Sequence, residues 1–385
     1  MSTQKKSLGF FNWNGFSNSF GGDSAVGARI GKALKETGYP ICFASVINPS
    51  DNELGIDSIT LPDKKEIETT RNVQTLIDFF RLHSVEIIVS HIAIKKEVNR
   101  LLRRVADEIG ASLVLEIHID PEFYKRLKKY SVPKFLRPLE IQIGKFMTRS
   151  RWRQAHKLAD CIVVLSPEYI SSFYKVSGLQ NDGKVIAIAN PNSFDSIPDN
   201  VLSKKSNVVL YVGRFAPQKR AERVPIIWSK IQDYHTDWEL EMLAGGNDED
   251  VDMLRKEMGK IGVKRFHYLG RQNPKPYLEK AKILVLTSDY EGVPLVILEA
   301  MQFGVIPIAF DSFSPYNGLI QNGEAGLSVT PYNLDEFAQK LSGLMKDEKR
   351  IIKMSENALS LSQRFNMEHI IERWEELFSS LTHRK

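Results

Sequence analysis

Short apolar runs that alternate with helical stretches constrain the fold of this chain more than any other feature. Each run is short and rich in β-branched residues, as buried strands of parallel sheets are, and the alternation is typical of βαβ units. Six runs precede a polar segment at residues 193–207, which we interpret as a linker, and five runs follow it. The predicted strands are Leu8–Trp13, Ile41–Val46, Glu86–Ile92, Leu113–Ile119, Cys161–Leu165, Val185–Ala189, Val208–Val212, Glu239–Ala244, Arg265–Leu269, Ile283–Thr287 and Val305–Phe310.

Length and composition agree with a two-part α/β protein. A chain of 385 residues can form two or three domains with substantial cores, and 42% hydrophobic with 26% charged residues is ordinary for a soluble protein. No apolar run approaches the length of a membrane span, the start has no signal-peptide core, and Cys42 and Cys161 lie in strand-like runs. We therefore predict a cytoplasmic α/β protein with two Rossmann-like domains that face each other across a cleft.

The segment at residues 288–304 is the most informative one for function, because a strand-like run passes there into a helical one. Pro294 suits the first position of this helix, where a missing N–H costs nothing. Backbone amides of residues 292–296 would then point to the carboxyl edge of a sheet, where α/β folds bind ligands. Glu291 precedes the helix and Glu299 lies in its second turn, so the two carboxylates can accept hydrogen bonds from different hydroxyls of a nucleotide sugar. Two surface glutamates on a helix would give the same pattern.

A group of cations follows another strand-like run about eighty residues upstream. Gly213 ends that run, and Arg214 and Lys219 come shortly after it. A planar guanidinium and a mobile ammonium can both bind phosphate oxygens, although cations also follow strands in ordinary solvated turns. The cations and the two glutamates within one α/β domain are much more specific than either feature alone, and together they indicate a nucleotide-diphosphate ligand.

These residues resemble the retaining family-4 glycosyltransferases of the GT-B fold, most closely at residues 207–330 and more loosely in the amino-terminal half. The resemblance implies that Glu291 contacts the transferred sugar, that Glu299 binds the ribose, and that Arg214 and Lys219 bind the diphosphate. The implied catalytic residues are Glu291, His118, Arg214 and Lys219. The implied donor-binding residues are Gly21, Gly22, Gly213, Arg214, Lys219, Gly245, Gly270, Glu291, Gly292, Val293, Pro294, Leu295 and Glu299.

Two of these assignments come from the amino-terminal half of the chain. His118 ends a strand-like run, where the family often has a histidine near the donor sugar or the acceptor, but a lone histidine is more often structural. The pair Gly21-Gly22 opens a helix and matches glycines that approach the diphosphate in the family. The pair belongs to neither a Walker loop nor a G-x-G-x-x-G fingerprint, which removes the main support for an ATPase or a dehydrogenase.

The resemblance implies transfer of a hexose or N-acetylhexosamine from a nucleotide diphosphate sugar to a glycan or glycolipid in cell-surface polysaccharide synthesis. UDP is favoured by its frequency in the family. Residues 1–203 would form the acceptor domain, residues 204–366 the donor domain, and residues 367–385 a terminal helix that packs back on the first domain. We expect no cofactor and no metal, because no ligand cluster is visible and Arg214 and Lys219 can offset the phosphate charge. Two alternatives remain: a nucleotide-sugar epimerase or hydrolase of GT-B shape, and a non-enzymatic protein that binds membranes or polyanions.

The second alternative depends on an unusually basic stretch at residues 125–157. It contains eleven Lys or Arg and one acid, a local charge of +10, whereas the whole chain carries +5 and the remainder therefore sums to −5. Apolar residues interleave with the cations, and Pro133, Pro138 and Gly144 argue against one continuous helix. The stretch could bind an anionic membrane surface, which would make the protein peripheral on the inner face of the membrane, or a polyanionic acceptor, or it could be a solvated face. Nucleic acid is disfavoured, because the two carboxylates at residues 291 and 299 repel a phosphate backbone.

Overall fold

A computed structural model of the chain describes residues 5–17, 22–51, 54–126, 137–246, 248–313 and 315–381. The chain forms two compact units. Unit 1 contains Met1–Pro191 and Met367–Lys385, and unit 2 contains Asn192–Asn366. Each unit is built around one parallel β-sheet with helices between successive strands, so each is Rossmann-like. Strands and helices are numbered along the whole chain.

Unit 1 contains a seven-stranded parallel sheet with the strand order β3-β2-β1-β4-β5-β6-β7. Its strands are β1 (Leu8–Asn12), β2 (Ile41–Ser45), β3 (Ser58–Thr60), β4 (Ile87–Ser90), β5 (Ser112–Ile117), β6 (Cys161–Val164) and β7 (Val185–Ala187). Its helices are α1 (Gly22–Glu36), α2 (Thr70–Leu82), α3 (Lys96–Ile109), α4 (Arg137–Leu158), α5 (Pro167–Ser177) and α13 (Met367–Ser380).

Unit 2 contains a six-stranded parallel sheet with the order β10-β9-β8-β11-β12-β13. Its strands are β8 (Val208–Arg214), β9 (Glu239–Gly245), β10 (Phe266–Tyr268), β11 (Ile283–Leu286), β12 (Ile306–Phe310) and β13 (Leu327–Val329). Its helices are α6 (Arg223–Ser229), α7 (Asp248–Ile261), α8 (Lys275–Lys280), α9 (Leu295–Gln302), α10 (Tyr316–Ile320), α11 (Leu334–Met345) and α12 (Glu348–Ser362).

Both sheets have a point at which the strand order reverses direction. In unit 1 the reversal lies between β1 and β4, which pair in parallel from Leu8 opposite Ile87. In unit 2 it lies between β8 and β11, where Val209 is opposite Ile283. Helices on the two sides of such a point leave a crevice beyond the carboxyl ends of the strands, and open α/β sheets bind ligands there. Each unit therefore has one favoured position for a functional site.

All eleven predicted strands are present, and two further strands, β3 and β13, have three residues each and are too short for a recognisable pattern. The predicted domain boundary after residue 203 lies inside unit 2, which begins at Asn192. The segment 193–207 that we predicted as a linker belongs to this unit and includes the 3₁₀ turn Val201–Lys204, with Val201 buried. Residues 367–385 group with unit 1.

The prediction that proline and glycine interrupt the basic stretch is wrong for residues 137–158. Helix α4 runs without a break from Arg137 through Gly144 to Leu158. Pro138 lies in the first turn, where no intrahelical hydrogen bond is lost. Residues 127–136, which include Pro133, lie outside the described part of the chain. Among the described residues, no helix combines the length and the apolar character needed to cross a bilayer.

Buried aromatic side chains pack helix α13 against the rest of unit 1. Trp374 is fully buried, and the Phe378 ring lies 5.8 Å from the Tyr39 ring, centroid to centroid. Lys5 Nζ forms an ion pair with Glu375 at 2.9 Å. The ion pair is partly exposed and contributes little, so the apolar contacts hold this helix in place.

Replacing Trp374 by alanine should lower the free energy of unfolding by about 3–5 kcal/mol, because a large buried side chain leaves a cavity. Urea denaturation followed by circular dichroism measures this loss. Glu372→Ala, an exposed position on the same helix, is the matched control and should change stability by about 0.5 kcal/mol at most. Equal stability of the two variants would contradict the assigned packing of α13.

Candidate functional site

The carboxyl edge of the unit 2 sheet brings together residues that are far apart in the sequence. Gly213 and Arg214 are the last residues of β8, and Arg214 pairs with Gly245 at the end of β9. Gly270 follows β10 with a left-handed φ of 70°, a conformation that favours glycine. Glu291 follows β11, the strand next to β8 across the reversal point. The predicted donor-binding residues of this half therefore share one edge.

Glu291 and Lys219 form a nearly buried ion pair at this edge. Lys219 Nζ lies 2.6 Å from Glu291 Oε1, and the side chains are 17% and 7% exposed. Gln218 donates from Nε2 to Glu291 Oε2 at 3.2 Å and to the Tyr290 carbonyl at 2.7 Å. Removing one partner of such a pair leaves a buried charge without compensation. The pair thus holds both candidate catalytic side chains in defined positions.

Asp289 ties together the two loops that carry this ion pair. Its carboxylate is buried and accepts hydrogen bonds from Arg220 Nε at 2.9 Å and from Arg223 Nη1 at 2.7 Å. Its backbone N–H donates to the Gln218 carbonyl at 2.8 Å. Two charge-assisted bonds and a backbone bond therefore join the loop after β8 to the loop after β11. Lys219 is placed opposite Glu291 as a result.

Arg214 differs from the other cations of this site because it is exposed. Its guanidinium forms no ion pair or side-chain hydrogen bond with any residue that the structure describes. Beside it, a Cβ on Gly213 would lie 2.6 Å from the Tyr211 hydroxyl oxygen. The Tyr211 hydroxyl is buried, and burial together with the nearby Glu291 raises its pKa. A side chain at position 213 would collide with this hydroxyl, so glycine allows the Tyr211 ring to keep its position.

Helix α9 presents its first turn at the same edge. Pro294 is the residue before the helix, with an extended ψ of 120°, so the prediction that it occupies the first helical position is wrong by one residue. Leu295 and Val296 begin the helix, and first-turn N–H groups have no intrahelical acceptor. Glu299 lies in the second turn, as predicted, and it is half-buried. Val293 is buried, whereas Gly292 is only half-buried.

In unit 1, the predicted site residues lie near the other reversal point. Gly22 is the first residue of α1 and is exposed, whereas Gly21 lies outside the described residues. His118 directly follows β5, and His91 directly follows β4. The His91 backbone N–H donates to the Phe11 carbonyl on β1 at 2.9 Å. Of these two histidines only His118 was predicted from the sequence, although His91 also follows an apolar strand.

A buried carboxylate lies between the two histidine rings. Glu116 Oε2 is 2.6 Å from His91 Nδ1 and 3.2 Å from His118 Nε2, and its side chain is 2% exposed. His91 Nε2 is buried without a hydrogen-bond partner among the described residues, which favours the tautomer that carries hydrogen on Nδ1. Burial opposes protonation of His118, but the Glu116 carboxylate outweighs it and raises the pKa of His118. The two histidines in turn hold the pKa of Glu116 well below its usual range despite burial.

His91, Glu116 and His118 are, among the described residues, the one group of histidine, cysteine or carboxylate side chains that lie close enough together to share a metal ion. His91 Nδ1 and His118 Nε2 are also 3.2 Å apart, so the same distances suit hydrogen bonds among the two imidazoles and the carboxylate. A buried glutamate inside an apolar strand was the signal in the sequence for this cluster, since carboxylates are seldom fully buried without a partner. The expectation of a metal-free protein stays a prediction.

The two reversal points and the parallel sheets define a GT-B protein with two Rossmann-like units. Residues 193–360 match the model of the family described as glycosyl transferases group 1. This match and the GT-B fold support the family-4-like glycosyltransferase that the resemblance of the motifs predicted.

Individual relatives agree with this family. An uncharacterized glycosyltransferase of Haemophilus influenzae is 24% identical over 96% of this chain and 99% of its own length. A relative from Campylobacter jejuni is 27% identical over 66% of this chain and 68% of its own length. Its name describes an alpha-1,4-N-acetyl-D-galactosaminyltransferase that acts on a glycan linked to PP-undecaprenol. The structure of Anabaena Alr3699/HepE in complex with UDP has a TM-score of 0.76 at 17% identity, and the match covers 97% of this chain and all of that one.

Replacing Glu116 by glutamine should shift the titration of His118 to lower pH, because the charge that favours its protonated form is removed while burial remains. Folding raises the pKa of His118, so its protonation adds stability that is fully present below about pH 6.5 and is lost as pH rises through the folded-state pKa. The stability advantage of the wild type over the variant should shrink over that window.

NMR of labelled histidines and denaturation at several pH values measure both effects. Glu122→Gln is the control, since Glu122 forms an ion pair with Lys175 at 3.2 Å, whereas the charges that raise the pKa of His118 are those of Glu116 and Asp23. An unchanged His118 titration in Glu116→Gln would show that the carboxylate does not govern its protonation.

Proposed function

We propose that this glycosyltransferase moves a hexose or an N-acetylhexosamine from a UDP-sugar to a glycan or a lipid-linked acceptor, with retention of anomeric configuration. The acceptor would belong to a cell-surface polysaccharide. Support for UDP comes from the UDP complex of a protein that shares the fold, and support for a lipid-linked acceptor comes from the name of the Campylobacter relative.

The observation that carries this proposal is the convergence at the edge of the unit 2 sheet. An exposed guanidinium, a paired ammonium and carboxylate, and the first turn of a helix all lie at the ends of neighbouring strands or just beyond them. Cations and amides suit a diphosphate, and carboxylates suit sugar or ribose hydroxyls. A site that combines cations with carboxylates favours a nucleotide sugar, which offers both phosphates and hydroxyls, over a ligand that offers only one of the two.

The proposed chemistry is stabilisation of the departing UDP. Negative charge develops on the diphosphate as the bond to the sugar breaks, and preorganised cations are most effective where charge develops. Arg214 is available for this role because its guanidinium forms no ion pair or side-chain hydrogen bond with a described residue. Lys219 can reach the same phosphate while Glu291, relieved of part of its pairing, accepts from a sugar hydroxyl. His118 is the proposed second catalytic group, acting on the sugar or the acceptor.

A panel of UDP-, GDP- and ADP-sugars tests the donor class by thermal shift, since a bound ligand stabilises the folded state by mass action. UDP-sugars should raise the melting temperature more than the others at equal concentration. Product analysis by NMR then separates the alternatives: an α-linked product supports retaining transfer, whereas free sugar or an epimer supports a hydrolase or an epimerase.

Arg214→Ala should lower kcat by about 10²- to 10³-fold, because one charge-stabilising donor is removed, and it should leave stability unchanged. Lys219→Ala should lower kcat similarly but also destabilise the protein, since Glu291 loses its partner. Glu299→Ala should raise KM for the donor about tenfold through a lost hydrogen bond. Steady-state kinetics with one donor and denaturation measure these effects.

Lys264→Ala is the matched control, because Lys264 is exposed and pairs only with the exposed Asp233 at 2.9 Å. It should keep wild-type kinetics. Wild-type rates in all three site variants would rule out the assigned donor site, and Arg214→Ala is the decisive one because it breaks no ion pair or side-chain hydrogen bond with the described residues.

Excess EDTA should leave the transfer rate unchanged, because the proposal gives the phosphate charge to Arg214 and Lys219. Elemental analysis of the purified protein should find much less than one transition metal per chain. Loss of activity that returns with Mg²⁺ or Mn²⁺ would contradict this mechanism, and a stoichiometric metal that disappears in Glu116→Gln would place that ion in the histidine cluster.

A further inference from the structure

Helix α4 carries an exposed apolar surface at its amino-terminal half. Eleven large apolar side chains are exposed in the described part of the chain, and five of them fall within residues 139–147. Phe146 is 74% exposed and Leu139 is 59% exposed. Single exposed apolar side chains are common on soluble proteins, but a contiguous group of them marks a surface that binds something.

Four of these side chains lie on one face of the helix, and we call them the α4 stripe: Leu139, Ile143, Phe146 and Met147. Their spacing of i, i+4, i+7 and i+8 is that of a single helical face. The face that packs on unit 1 is a different one, formed by Thr148, Trp152 and Ala155, which are all buried. The stripe therefore takes no part in this packed face.

Positive charge surrounds the α4 stripe. Helix α4 contains six Lys or Arg and one acid. Lys145, which lies between Ile143 and Phe146 in the sequence, is exposed on another side of the helix, and Arg153 and Lys157 continue the side of the stripe at whole-turn spacings from Leu139. An apolar face flanked by cations is the pattern of helices that lie in the interface of a membrane.

We propose that helix α4 docks unit 1 on the surface of an anionic lipid bilayer, with the α4 stripe inserted among the headgroups and the flanking cations paired with lipid phosphates. Charge complementarity selects this partner. A second copy of the chain would present the same cations to one another, because a two-fold interface pairs a patch with itself. An anionic leaflet instead attracts each of these cations and accepts the apolar side chains.

The docking surface depends on cations that the fold does not use. Arg149 and Arg153 donate from Nε to the Ser177 carbonyl, at 3.3 Å and 2.8 Å, and so help to hold α4 against the end of α5. Lys145, Arg151 and Lys157 make no side-chain hydrogen bond with the described residues. Lys145 and Lys157 are exposed and Arg151 is half-buried, so neutralising these three removes charge without breaking a side-chain hydrogen bond within the described residues.

Co-sedimentation of the full chain with phosphatidylglycerol or phosphatidylcholine vesicles tests the proposal, and it needs no donor, so its result is independent of the proposed reaction. The wild type should bind the anionic vesicles at low salt and lose binding as the Debye length falls from about 10 Å at 0.1 M to about 3 Å at 1 M. Joint replacement of Lys145, Arg151 and Lys157 by glutamine should weaken partitioning on the order of a hundredfold, since each cation is worth about fivefold.

Replacing the four residues of the α4 stripe by serine should reduce binding at least tenfold. The matched control replaces Leu82, Tyr234 and Ile352, which are exposed elsewhere, by serine and should bind like the wild type. Equal binding to both vesicle types, or no binding at low salt, would overturn the proposal. A dimer in analytical ultracentrifugation that dissociates in the stripe variant would also overturn it, because the stripe would then be an interface between two copies.

Discussion

The backbone hydrogen bonds between β8 and β11 are the contacts on which the candidate site of unit 2 depends. They join two strands that are far apart in the sequence, and they make both strands run in the same direction. Arg214 at the end of one strand and Glu291 beyond the end of the other therefore face the same crevice. Parallel pairing brings the carboxyl ends of neighbouring strands to the same edge of the sheet. The geometry of the site is therefore a consequence of the strand order.

Each unit keeps a buried carboxylate with basic partners at its reversal point. Glu291 is paired with Lys219 in unit 2, and Glu116 lies between two histidines in unit 1. Burying such a charge is costly unless its partners are fixed, and both sites fix them through neighbouring strands or loops. The low exposure of these side chains makes their pairing sensitive to any charged group that enters.

The strands and the position of Glu291 could be predicted because they depend on local patterns. A run such as Ile283–Leu286 is apolar enough to be recognised alone, and the residue after it must emerge at an edge. The partners of Asp289 could not be predicted, since Arg220 and Arg223 reach it only through the pairing of distant strands. The continuity of α4 was mispredicted for a related reason: the local cost of Gly144, about 1 kcal/mol, is offset by packing of Trp152, which no local pattern reveals.

The return of α13 to unit 1 has a consequence for the order in which the protein is made. Unit 2 is one continuous segment, whereas unit 1 includes residues from Met367 onward, and Trp374 and Phe378 of that helix are buried. During synthesis the ribosome must therefore add the whole of unit 2 before unit 1 can acquire its last helix, a delay of about ten seconds or more at roughly 5–20 residues per second. A nascent unit 1 exposes the apolar surface meant for α13 throughout that interval, which makes it a natural client for chaperones.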